Sequence, residues 1–180
     1  MLQGAVVRLT PLVDADREPL FRWINDRELV VHSAPFRSVE RGAHDAWFDR
    51  IRRSEDTAMF AIRLRSGDRL VGSCQLNSID SIQRAAQLQI RIGERDAWGR
   101  GAGSEAVGLL LDYGFDEVGL HRIQLHALAT NERAVRMYER AGFRHEGRLR
   151  EAALIDGRRV DLFIMGKLAS EHDNVCRELT

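Results

Sequence analysis

The stretch Trp98-Gly99-Arg100-Gly101-Ala102-Gly103-Ser104-Glu105-Ala106 carries glycine at every second position between a strand-like and a helix-like pattern. With side chains removed, backbone N–H groups can turn into one concavity at the positive end of the following helix. An anion belongs there, a pyrophosphate fits well, and Arg100 adds charge at the rim. A merely tight turn needs fewer glycines. A second constellation follows in Asn131, Ala134, Tyr138, Gly142 and Phe143. Asn131 is a preferred helix N-cap. Tyr138 can donate a proton to a leaving group, although a core or rim tyrosine has the same pattern. Gly142 and Phe143 are the residue types of a Schellman stop.

Two nucleotide readings of the glycine loop fail. A Walker A loop needs Gly-Lys-Ser/Thr, which is absent. Gly101-x-Gly103-x-x-Ala106 matches a dinucleotide fingerprint, but that fingerprint also needs an acidic residue about 20 positions on to bind ribose. The next strand closes at Leu128-Ala129-Thr130-Asn131, with no carboxylate.

The elements that must position these residues follow from hydrophobic period. Val6 to Leu9 reads as a first strand ended by Pro11. Asp14 or Asp16 caps a helix carrying Leu20, Phe21 and Ile24. Residues 25–37 read as an irregular loop, and Ser38 as the N-cap of a helix with Ala43, Trp47 and Ile51 on one face. Phe60, Ile62 and Leu64 alternate, as do Leu70, Gly72 and Cys74, around a Ser66-Gly67-Asp68 turn. Leu88, Ile90 and Ile92 form a strand entering the glycine loop. Val107, Leu110, Leu111, Gly114 and Val118 line a helix face, and Ile123, Leu125 and Ala127 a further strand. Two last strands flank Asp156-Gly157. This order predicts an α/β (α+β) fold with a mixed, mostly antiparallel central sheet flanked by helices. A single domain is expected, with its core at about residues 5–168 and a polar, fraying tail over 170–180.

Composition narrows the function. The formal net charge is zero, 44% of residues are hydrophobic and 30% charged. Zero net charge argues against a broad nucleic-acid or membrane surface, so neither partner is expected. The two cysteines, Cys74 and Cys176, imply no disulfide framework, and the six histidines show no metal-ligand spacing, so no metal is expected. The start lacks the basic segment and apolar run of a signal peptide, and no stretch approaches the roughly 18 apolar residues of a membrane span. A soluble cytoplasmic protein is the expectation.

Over most of residues 88–167 the chain resembles the GNAT superfamily of N-acetyltransferases, particularly its RimJ/RimL-type branch. Its loop is similar to the family's Q/R-x-x-G-x-G/A segment, with Trp98 in place of Gln or Arg. Asn131-x-x-Ala134-x-x-x-Tyr138-x-x-x-Gly142-Phe143 is similar to the family's N-x-x-A-x-x-x-Y-x-x-x-G-F segment. The resemblance implies acetyl-CoA as co-substrate and direct transfer to a primary amine in a ternary complex. The implied acceptor is a small-molecule amine (amino sugar, polyamine or aminoglycoside) or a protein N-terminus. It implies splayed strands at the CoA site, with Leu88, Ile90, Arg91 and Ile92 pairing the pantetheine through their backbone. Trp98, Gly99, Arg100, Gly101, Ala102, Gly103 and Ser104 would hold the pyrophosphate, with Asn131, Arg133 and Tyr138 alongside. Trp23, Asn25, His32, Phe36 and Gln87 fall in regions where the family places acceptor recognition. Dimers are common for this kind of fold, so a homodimer is allowed, and no patch in the sequence specifies one.

Acetyl transfer requires a neutral amine, a stabilised oxyanion and a departing thiolate. An alkyl amine is only roughly one part in a thousand neutral near pH 7, so its proton needs an acceptor. Gln87 stands where many relatives carry glutamate and cannot be a base. Glu94, Asp96, Glu151, His126 and His145 remain candidates, beside a water relay. A non-catalytic acyl-CoA sensor or scaffold is the rival reading, supported by Gln87 and opposed by Tyr138.

Overall fold

The computed structural model of the chain describes residues 1–176. Eight strands form one sheet: β1 (Leu2–Gln3), β2 (Val7–Pro11), β3 (Ala58–Leu64), β4 (Leu70–Asp80), β5 (Ala85–Ile92), β6 (Arg122–Leu128), β7 (Arg144–Ile155) and β8 (Arg158–Leu168). Their order is β1-β2-β3-β4-β5-β6-β8-β7. Every pairing is antiparallel except β5–β6, which is parallel. The hairpins turn where the residues allow it. Gly67 and Asp68 have φ of 78° and 55°, and Asp156 and Gly157 have φ of 48° and 78°, the left-handed pair that matches strand twist. Parallel neighbours cannot be joined by a hairpin, and the β5–β6 connection carries helix α4 (Ala102–Asp112).

The two faces of the sheet bury different things. On one face, Ala106, Val107, Leu110 and Leu111 of α4 meet Leu76, Leu88, Ile123, Leu125 and Met165, and Val135 and Tyr138 of α5 (Glu132–Arg140) join them. On the other, α1 (Arg17–Ile24), α2 (Arg27–Val30) and α3 (Arg41–Ile51) cover a smaller cluster of Leu12, Leu20, Trp23, Leu29, Phe48 and Ala61. After α4 the chain makes a wide turn over Tyr113–Glu117. A Cβ at Gly114 there would stand 2.7 Å from Ile123 Cδ1 and 2.9 Å from Leu76 Cδ1, so a larger residue would force these core side-chain ends to shift.

One carboxylate ties the sheet edge to α4. Glu105, in the first turn of α4, accepts from the successive amides of Ala5, Val6 and Val7 at 2.6, 2.8 and 2.6 Å. Three consecutive N–H groups around one anion make a nest, closed by Gly4, whose absent Cβ would overlap the Glu105 side chain.

The structure corrects several expectations. The first strand is preceded by the short β1, which has too few residues to show a period. Residues 25–37 are not all irregular, because Asp26 caps the single turn α2 by accepting from Leu29 N at 3.2 Å. The N-cap of α3 is Glu40, not Ser38. Its inward face is His44 and Phe48 rather than Ala43, which is exposed. Residues expected to fray form α6 (Ala169–Cys176), with Glu171 accepting from Leu168 N at 2.9 Å; residues 177–180 lie outside the described residues. No helix of the described residues is long and apolar enough to cross a membrane.

Candidate active site

β5 and β6 pair only at Ala85–Arg122, Ala86–Ile123 and Gln87–Gln124. Beyond that point β5 keeps its ladder with β4 as far as Ile92, and β6 keeps its ladder with β8 as far as Leu128. The two strands therefore part, and a cleft of about 410 Å³ lies between them, lined by residues of α4 and α5 on one face of the sheet and by Leu29, His32 and Ser33 on the other. Because strand side chains alternate, Ile90 and Ile92 face the α4 side with the main core. Arg91 then points to the α1–α3 side, where it reaches Ser33 Oγ at 3.4 Å.

The α4 end of the cleft is an open helix start. Gly101 is the N-cap with φ 84°, and Gly99 has φ 72°. Both conformations are strained for other residues. A Cβ at Gly103 would stand 3.4 Å from Met137 Sδ. The amides of the first turn have no intrahelical acceptor, and no side chain caps them. Glu105, the one acidic residue of this turn, is occupied by residues 5–7. The donors fit an anion. Trp98 locks the loop: its Nε1 donates to Ile92 O at 2.9 Å and the Arg133 guanidinium lies 4.5 Å from its ring centroid. The tryptophan thus fastens loop to strand, a role the sequence pattern did not reveal.

α5 supplies the other wall. Asn131 Oδ1 accepts from Ala134 N at 3.2 Å, the expected cap. Its Nδ2 donates to His32 O at 2.9 Å, so the amide expected to meet the pantetheine also ties α5 to the segment after α2. At the far end, Gly142 N bonds Glu139 O at 3.0 Å and Phe143 N bonds Tyr138 O at 3.0 Å, the two bonds of a Schellman stop. Lys167, buried beneath, donates to Ala141 O at 2.8 Å, and burial lowers its pKa. Tyr138 lines the cleft at 8% exposure, and burial pushes its phenol up to about 12.

Ile90, Arg91, Ile92, Trp98, Gly99, Gly101, Gly103, Ser104, Asn131, Arg133, Tyr138 and His32 all line this one cleft. Other expected residues do not. Leu88 and Ala102 are core, and Arg100 is exposed outside the lining. Trp23 is buried against Gly93 and donates to Glu94 at 3.1 Å. Asn25 binds the backbone of Phe21 and Val39. Phe36 and Gln87 also lie outside the lining. Among the candidate bases, Glu94 is held by Arg22 and Trp23. Asp96 is held by Arg69, which lowers its pKa, and His145 pairs with Glu139 at 3.0 Å. Glu151 lies outside the lining; His126 is the one of the five in the cleft. Leu29, Ser33, Leu128, Met137 and Arg140 also line it and were not anticipated. Leu29 lies in, and Ser33 just after, a four-residue helix that gives no periodic signal, whereas Met137 follows from the spacing of α5. Cys74 is fully buried and its thiol is pushed up, which leaves it inert.

A family model described as acetyltransferase (GNAT) domain matches residues 7–144. The chain is 38% identical over 96 residues to spermidine N(1)-acetyltransferase of Vibrio cholerae, covering 53% of this chain and 55% of that protein. It is 30% identical over 95 residues to a putative ribosomal N-acetyltransferase of Bacillus subtilis, covering 53% and 51%. The chain thus spans about half the length of these curated relatives. The crystal structure of spermidine N-acetyltransferase from Vibrio cholerae in complex with CoA and spermine superposes with a TM-score of 0.87. Its sequence identity is 27%, covering 95% of this chain and all of that one.

Proposed function

Because the chain belongs to the acetyltransferase (GNAT) domain family, we propose that it transfers the acetyl group of acetyl-CoA to a primary amine, both substrates being bound at once. The observation that carries this reading is the cleft itself, which lies between the parted β5 and β6 and is lined by residues from both faces of the sheet. The α4 side would take the thioester and the α2 side the amine.

Gly99, Gly101, Gly103 and Ser104 at the start of α4 would hold the pyrophosphate by backbone N–H groups. The β6-facing edge of residues 88–92, which has no ladder partner, would bond the pantetheine as an added strand. When bound, acetyl-CoA supplies an acyl thioester whose C–S bond breaks as the amide C–N bond forms. Tyr138, whose phenol stays protonated at neutral pH, offers its O–H to the departing sulfur. His126, on the acceptor side of β6, takes the ammonium proton directly or through water, an imidazole being the side-chain type able to do so near neutrality.

The relatives' names bear on the acceptor. Spermidine acetyltransferases favour a small-molecule amine, and the ribosomal relative keeps a protein N-terminus, the RimJ/RimL-type alternative, in view. We favour the small molecule, in a single-domain enzyme with CoA as its only cofactor. The test is acetyl-CoA-dependent release of free thiol across a panel of amines, paired with calorimetric binding of acetyl-CoA. Loss of acceptor-dependent release in Tyr138→Phe supports the reading. Absence of acetyl-CoA binding to the wild type refutes it.

A further inference from the structure

Arg91 is an arginine with no carboxylate partner among the described residues. It lies in the unpaired stretch of β5 beyond Gln87, on the strand wall of the acceptor side of the cleft. Its Nε is buried with no partner, and its one hydrogen bond among the described residues is the long contact to Ser33 Oγ at 3.4 Å. Burial lowers the pKa of its guanidinium, with no acidic neighbour among the described residues to oppose that. Carboxylates of the adjoining segment are already taken. Asp26 and Glu28 bind Arg95 at 2.9 and 3.0 Å, and Glu94 binds Arg22. The remaining acceptor-side lining is Leu29, His32, Ser33, His126 and Leu128, and no described residue lining the cleft is acidic.

A polycation has nothing to bind on such a wall and would meet a fixed positive charge. A half-buried guanidinium with a buried, unpartnered Nε and no carboxylate partner among the described residues is costly, and an anion brought by the substrate lowers that cost through charge-assisted hydrogen bonds. We infer that the acceptor is a small amine bearing a carboxylate or phosphate group, and that Arg91 is the counter-ion that selects it. This inference rests on the acetyltransferase reading and narrows its acceptor.

The test uses matched pairs of amines with and without the anion: glucosamine 6-phosphate against glucosamine, and methionine against methioninamide. Spermidine serves as the polycationic arm. The kcat/KM ratio within each pair is measured for the wild type, Arg91→Gln and Arg91→Lys. Comparing that ratio between proteins cancels differences in amine basicity. The expected result is that the wild type favours the anionic member of at least one pair. Arg91→Gln should then cut that ratio about tenfold or more, and Arg91→Lys should restore part of it. The pair that discriminates tells carboxylate from phosphate. Spermidine outperforming every anionic amine overturns the inference and leaves the acetyltransferase standing. So does the absence of discrimination in every pair, whether all members react equally or none reacts. Failure to bind acetyl-CoA overturns both.

Discussion

The backbone N–H of Phe143 donates to the carbonyl of Tyr138 at 3.0 Å, and the two rings meet edge to face with centroids 5.9 Å apart. The residue proposed as the acid is therefore also the C3 position of the stop that ends α5. Its backbone is fixed by the turn and its ring by the apolar residue that the turn brings back. A phenol placed in this way loses little rotamer freedom when it acts.

Tyr138→Phe should therefore leave the fold intact, since neither the turn bonds nor the ring contact uses the hydroxyl. It should lower kcat by about 10²- to 10⁴-fold, the usual contribution of one acid, with acetyl-CoA affinity changed less than about threefold. Parallel losses in kcat and affinity would remove Tyr138 from the chemistry.

The same hydroxyl sets how stability falls on the alkaline side. Its pKa is raised to about 12, so the neutral form is favoured in the folded protein. The corresponding stability is fully present below about pH 10, the unfolded value, and is lost as pH rises through about 12. In chemical denaturation between pH 9 and 11, wild type should lose stability more steeply than Tyr138→Phe. Equal slopes would show that the hydroxyl is not shielded from water.

Gly101→Val places a β-branched side chain at φ 84°, at a strain of about 1–2 kcal/mol, and pushes its branches into the mouth of the helix start. Calorimetry should show acetyl-CoA affinity falling at least about a hundredfold, with the circular dichroism spectrum retained. Unchanged affinity would exclude this loop from the binding site.

Asn131→Ser separates two functions of one side chain. Serine still caps α5 but is too short to reach His32 O, the partner of Asn131 Nδ2 at 2.9 Å. Global stability should change by only about 0.5–1.5 kcal/mol. Amide exchange at residues 32–34 should accelerate and the acceptor KM should rise. Unaltered exchange would mean that other contacts hold this segment.

His44 is buried among Phe21, Trp47 and Phe48, and neither ring nitrogen has a hydrogen-bond partner. Burial holds its pKa below the usual value, helped by Arg41 and Arg17 and opposed by Asp45, whose Oδ1 lies 3.9 Å away. The folded state thus binds its proton less readily than the unfolded chain. The stability this neutral ring contributes is present above about pH 6.5 and is lost as pH falls. Between pH 8 and 5 the melting temperature of His44→Leu should fall less than that of the wild type. An identical slope would assign acid sensitivity elsewhere.

Legibility in the sequence divided along a physical line. Glycine loop, Asn131 cap, Schellman pair and both hairpins are local, each specified by residues a few positions apart, and the structure has them where the residue types place them. The parting of β5 and β6 came from family resemblance, not from any local signal. The acceptor wall was least legible. Leu29 lies in, and Ser33 just after, a helix of one turn, too short for a period. Arg91 alternates in β5 like any strand residue that faces water. Trp23 and Phe36 fall in the region where the resembled family places acceptor recognition, and Trp23 belongs to the core instead.

Glu105 gives the anion loop a dependence on the far edge of the sheet. A carboxylate in the first turn of α4 would ordinarily compete with an incoming phosphate for the same donors and repel its charge. Here it is turned aside and held by three amides of residues 5–7. Those amides act as an electrostatic shutter that keeps the doorway free of negative charge. Loosening residues 5–7 would let that carboxylate swing back and weaken the proposed pyrophosphate site without any of its own residues being touched.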